Sequence, residues 1–131
     1  MYVFIAGGMG VTPFRSIIKQ HLEKKQKLDA TLLYFASSQS ELLFQDIFTD
    51  AVAQIGITFI PVLSDVSAAD WHGATGRFSE EFLKKHVSNI QQPSYYIAGS
   101  HSFINATMEI LQSLGIADEQ IKTDPFSGYL T

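Results

Sequence analysis

The sequence predicts an α/β fold, a parallel sheet covered by helices on both faces. Short apolar runs alternate along the chain with segments of helical length, and glycines or serines cluster where the runs end. Strands alternating with helices of about 10–15 residues imply right-handed crossovers, which produce parallel sheets. A chain of 131 residues, 46% apolar and 17% charged, is one domain (1–131) with enough apolar material for a single core.

Tyr2 to Ala6 is a short apolar run that reads as a buried strand, and Pro13 to about Glu23 as a helix. Thr12 before Pro13 reads as an N-cap and first-turn pair, and Lys24, Lys25 and Lys27 complement the dipole at the far end. Ala30 to Ala36 is a second strand, and Ser40 to Ile55 a second helix ended by Gly56. Ile57 to Leu63 is a third strand, to which Pro61 objects mildly if it lies centrally. Ser64 to Gly76 is a loop carrying Trp71 and His72, and Ser79 caps a helix over Glu80 to His86. Ser94 to Ala98, His101 to Leu114 and Ile121 to Phe126 read as strand, helix and strand, with Gly115 closing the helix.

The bulk numbers narrow the function. A net charge of −4 argues against coating nucleic acid, which needs a basic footprint. With no cysteine there are no disulfides and no thiolate chemistry, which fits a cytoplasmic location. No apolar run reaches the ~20 residues of a membrane helix. After Met1 the chain opens directly into strand material, which reads as a piece cut from something longer.

Two loops carry the chemistry. FIAGGMGVTPFRSII, Phe4 to Ile18, places Gly7, Gly8 and Gly10 between a strand and a helix. Strand, glycine loop and helix start aim backbone N–H groups and a helix dipole at one point, which favours a phosphate or pyrophosphate. Glycines leave room for that anion. The spacing is neither G-x-G-x-x-G nor a Walker loop. YYIAGSHSF, Tyr95 to Phe103, repeats the design, with Gly99 at the strand end and Ser100 or Ser102 available as a cap. Together the loops could hold two parts of a dinucleotide.

These residues, with IKTDPFSGY near the C-terminus, resemble the nicotinamide-dinucleotide domain of the ferredoxin–NADP reductase-like flavoproteins over nearly the whole chain. The most specific features are GGxGxTP and the terminal acid-x-F-x-G. The resemblance implies a three-layer α/β/α fold with a five-stranded parallel sheet of order 3-2-1-4-5. It also implies a preceding flavin-binding β-barrel domain that this chain lacks. NADH or NADPH would pass a hydride to FAD or FMN, and the flavin would pass electrons to an acceptor such as ferredoxin, flavodoxin, an oxygenase component or a haem protein. Gly7, Gly8, Gly10 and Thr12 would face the pyrophosphate and its neighbouring ribose. Gly99 and Ser100 would lie near the nicotinamide. Asp124 would be the carboxylate close to nicotinamide and flavin, with Phe126 beside it. Many relatives have Cys-Gly-Pro where this chain has Ala98, Gly99 and Ser100, and a glutamate where it has Asp124.

NADPH-specific members often place an arginine after the serine that ends the third strand. Here that pair is Ser64-Asp65, and a carboxylate would repel a 2′-phosphate while accepting from ribose hydroxyls, so NADH is the expected cofactor. Arg77 keeps NADPH open. His21, His72, His86 and His101 show no metal-ligand spacing. Trp71 and His72 either shield an adenine or cover a core edge, the core edge being favoured. Phe44, Phe48, Phe82 and Phe103 fall at helical positions as core, and Phe103 could serve the cofactor as well. Ser37 to Ser40 form the loop and cap before the second helix. Two other readings compete: a stand-alone nucleotide-binding or regulatory module without turnover, and an ordinary two-domain dehydrogenase.

Overall fold

A computed structural model describes residues 1–64, 71 and 73–125. Its strands are β1 (Tyr2–Gly7), β2 (Ala30–Ala36), β3 (Thr58–Leu63), β4 (Ala74–Thr75), β5 (Ser94–Gly99) and β6 (Ile121–Pro125). The helices are α1 (Thr12–Glu23), α2 (Gln45–Ile55), α3 (Glu80–His86) and α4 (His101–Ser113). All pairings are parallel, in the order β4-β3-β2-β1-β5-β6.

The five long strands stand in the expected order, but the sheet has six strands. The addition is β4, two residues of the segment expected to be a loop, which extends the sheet beyond β3 at Val62–Leu63. This explains why Pro61 is tolerated. It pairs with Tyr34 on β2, while β4 begins its pairing only at the next residue, so the outer edge at Pro61 needs no N–H.

Alternation along the strands divides the core. Phe4, Ala6, Leu32, Tyr34 and Ala36 face α1 and α2, where Phe14, Ile18, Phe48 and Ile55 are buried. Val3, Ile5, Leu33, Phe35 and Ile97 face the other way, towards Leu83 on α3 and Ile104 and Leu111 on α4. Every residue of β2 is buried, as a central strand covered on both faces requires.

The helix ends supply two further corrections. Thr12 is not the cap of α1, because a 3-10 turn over Gly8–Val11 runs straight into the helix and leaves Val11 as the N-cap residue. The Thr12 hydroxyl instead donates back to the Met9 carbonyl at 3.1 Å. α2 begins at Gln45, not Ser40, since Gln39–Glu41 form a separate 3-10 turn. The buried Tyr34 holds that turn: its hydroxyl accepts from the Leu43 amide at 3.0 Å and donates to the Glu41 carbonyl at 3.3 Å. Gly56 ends α2 at φ 80°, and Ser79 caps α3 by accepting from the Phe82 amide at 3.1 Å, both as expected.

Candidate functional site

The order of the sheet reverses at β1: β2 lies on one side of it and β5 on the other. In open parallel sheets that reversal leaves a crevice beyond the carboxyl ends of the strands. Here a cleft of about 660 Å³ occupies that position. One wall is Gly7, Gly8 and Met9 at the end of β1 and just beyond it, and another is Phe35, Ala36, Ser37 and Glu41 at the end of β2 and beyond it. Ser64 and Gly76 to Phe78 close one side, and Ser100, Ser102 and Phe103 with the α4 residues Ala106, Thr107 and Ile110 close the other. The volume lies within the range of ligand pockets.

The two glycine loops meet through one aromatic ring. A Cβ at Gly7 would lie 2.7 Å from the Phe103 ring, and one at Gly99 would lie 2.9 Å from it. Gly10 is closed off by the β5 backbone, since a Cβ there would strike the Ala98 carbonyl and approach the Gly99 nitrogen to 2.6 Å. Three of these glycines are therefore required by packing within the protein. Gly8 differs: its φ is +58°, and nothing lies within 4 Å of where its Cβ would be. Its backbone is open to the cleft at the start of a turn whose N-cap, Gly7, offers no side-chain bond. An anion could approach there without displacing a protein group. On the opposite loop Ser100 caps α4, accepting from the Phe103 amide at 3.2 Å, and lies within 3.2 Å of the Ser102 hydroxyl.

Of the predicted site residues, Gly7, Gly8, Ser64, Arg77, Ser100 and Phe103 line one cleft. Gly10, Thr12 and Gly99 do not line it; Gly10 and Gly99 pack against the loops that do. Asp124 lies on β6, half-buried, in register with Ala98 and apart from the cleft wall. Burial, and then the Asp124 charge, push the Tyr96 phenol upward. Asp65, His72 and Phe126 lie outside the described residues. Trp71 packs against the core on the α1–α2 face and donates its indole N–H to the Ala74 carbonyl at 3.0 Å. Among the described residues, no group of three His, Asp or Glu side chains could hold a metal ion.

A family model described as the oxidoreductase NAD-binding domain matches residues 4–109. The chain belongs to this family. One of the subunits of the Na(+)-translocating NADH-quinone reductase of Actinobacillus pleuropneumoniae is 35% identical to this NAD-binding domain, over 96% of the chain and 32% of the relative. Its counterpart from Neisseria meningitidis is 32% identical over 96% of the chain and 33% of the relative. The domain thus spans about a third of the curated relatives it matches. Among solved structures, the flavohem-like FAD/NAD binding domain of a Vibrio cholerae nitric oxide dioxygenase superposes with TM-score 0.81 at 26% identity, over 95% of this chain and 50% of that one. The cytochrome b5 reductase domain of Ulva prolifera nitrate reductase shares the fold, with TM-score 0.81 at 15% identity over 94% of this chain and 48% of that one.

Sequence reasoning missed several cleft residues of this NAD-binding domain: Phe35, Glu41, Phe78, Ser102, Thr107 and Ile110. The apolar ones carry no signal in sequence to separate them from core. Glu41 was hidden because Ser40 onward reads as helix. Its place five residues beyond the end of a central strand is the clue that could have found it.

Proposed function

We propose that this NAD-binding domain is the NADH-holding half of a flavin-dependent oxidoreductase, whose flavin sits on a β-barrel domain outside this chain. When bound, NADH would supply a hydride to that flavin, which would pass the electrons singly to a protein acceptor. The observation that carries the reading is the cleft at the reversal of strand order, bounded by both glycine loops, with the Gly8 backbone bare at its wall. The names of the relatives support the choice of cofactors, since one is a subunit of an NADH-quinone reductase and another an FAD/NAD binding domain.

The residues divide the work by position. Gly8 and its turn would receive the pyrophosphate, with Gly7 beside it on the cleft wall and Gly10 and the Thr12 hydroxyl shaping that turn. Ser100 and Gly99 would bound the nicotinamide end, and Phe103 would keep the two loops at fixed separation. Asp124 and Phe126 would meet the nicotinamide and flavin from β6, and Ser64 with Asp65 would favour NADH over NADPH at the adenosine ribose. The acceptor is a protein of the ferredoxin, flavodoxin or oxygenase-component kind. A cytoplasmic location belongs to the same proposal, supported by the cysteine-free sequence.

Titration of the 131-residue chain with NADH, followed by calorimetry and by backbone amide shifts, tests the reading. Saturable binding is expected, with the largest shifts at Gly8, Met9, Ser100 and Ser102. Absence of saturation at millimolar NADH, or shifts confined to residues away from the cleft, would refute it.

A further inference from the structure

Glu41 is held at the cleft wall more firmly than an exposed glutamate needs to be. The Ser37 amide donates to its Oε2 at 3.1 Å, and the Ser37 hydroxyl donates to the same oxygen. Its own amide donates to the Ser38 carbonyl at 3.1 Å, and its carbonyl accepts from the buried Tyr34 hydroxyl. Side chain and backbone are thus fixed independently, both from residues at the end of β2. The Ser38 amide also lies near the carboxylate, while the other oxygen, Oε1, makes no hydrogen bond among the described residues and no cation pairs with the group there. The Ser37 hydroxyl and then its amide hold the Glu41 carboxyl below its usual range, so it is charged at neutral pH.

We infer that Glu41 reads the ribose of the adenosine half: its free oxygen accepts from a ribose hydroxyl, and its charge rejects a 2′-phosphate. Ser37 is the positioning residue that aims it. The inference rests on the dinucleotide reading and deepens it by assigning a specificity residue separate from Ser64 and Asp65. Three features carry it. The acid follows the strand beside β1, the side of the crevice where an acid meets ribose hydroxyls in related sheets. A carboxylate fixed in advance loses little side-chain entropy on binding. Its charge is not neutralised within the protein, so repulsion of a phosphate dianion is not cancelled locally. Arg77, also on the cleft wall, is the opposing influence.

The test measures dissociation constants of NADH and NADPH, and of AMP and adenosine 2′,5′-bisphosphate, for the chain, for Glu41→Gln, for Ser37→Ala and for Ser37→Thr. The unaltered chain should bind NADH more tightly than NADPH. Glu41→Gln should lower the NADH-to-NADPH preference at least about tenfold, with the same change for the two adenosine fragments. Ser37→Ala should lower it by about threefold, and Ser37→Thr, which keeps the hydroxyl, should restore it. A preference that moves less than twofold in Glu41→Gln, or moves for the dinucleotides and not the fragments, overturns the assignment while leaving NADH binding intact. So does an unaltered chain that prefers NADPH. Failure of the unaltered chain to bind any of the four ligands would instead remove the dinucleotide reading itself.

Discussion

Gly8 and Gly10 stand two positions apart, yet they are glycine for different reasons. At Gly10 the obstacle is steric, because the β5 backbone at Ala98 and Gly99 occupies the space of a Cβ and cannot rotate aside. At Gly8 the obstacle is conformational: space is open, but φ is +58°. Gly10→Ala should therefore cost about 3 kcal/mol, by forcing the turn off β5. Gly8→Ala should cost about 1–2 kcal/mol, the usual penalty for a left-handed L-residue. Chemical denaturation of both variants checks the order, and equal losses would contradict it. The sequence marks this glycine crowd as special but cannot distinguish the causes. The ring that fills the space at Gly7 comes from Phe103, far along the chain. A left-handed backbone explains Gly8, and packing explains Gly7 and Gly10.

At the level of elements, local chemistry was legible where a cap or breaker decides the matter alone. Ser79 and Ser100 cap their helices through side-chain bonds, and Gly56 stops α2 in the left-handed region. It failed where a distant group intervenes. Tyr34 captures the Leu43 amide and so delays α2, while Phe44 takes φ +60° at its N-cap. The two residues of β4 are too few to show a period, and only pairing with Val62 and Leu63 defines them. The end of α1 offers a prediction. Lys25 has φ +53°, its amide bonds the Leu22 carbonyl at 3.1 Å, and the Gln26 amide bonds the His21 carbonyl at 2.9 Å. This is the Schellman arrangement, with lysine at the position glycine prefers. Lys25 is exposed, so Lys25→Gly removes backbone strain without losing packing. After allowance for the freer unfolded chain, a gain of roughly 0.5–1 kcal/mol in unfolding free energy is expected, read as a raised denaturation midpoint. A loss of stability would show that the lysine side chain contributes something the hydrogen-bond pattern does not reveal.

Across the whole molecule, the described residues form a single three-layer unit. α1 and α2 cover one face of the sheet and α3 and α4 the other. Alternating apolar runs made that architecture legible, whereas strand order and the role of the cleft came from motif resemblance, because periodicity does not specify neighbours. Every strand contributes to the one sheet, so the described chain holds no β-barrel in which a flavin could sit. Without a flavin, NADH gives up its electrons most readily as a pair, within a hydride, and reacts only slowly with a one-electron acceptor. The purified chain, saturated with NADH, should therefore reduce ferricyanide no faster than NADH alone does. Supplying a flavin-loaded β-barrel domain of the same family, fused ahead of Tyr2, should raise the rate by orders of magnitude. A Gly10→Ala version of the fusion should lose much of that gain, since the turn and the cleft are built on the same β5 contact. Rapid turnover by the flavin-free chain would show that its cleft performs redox chemistry unaided, and the division of labour proposed for it would have to be abandoned.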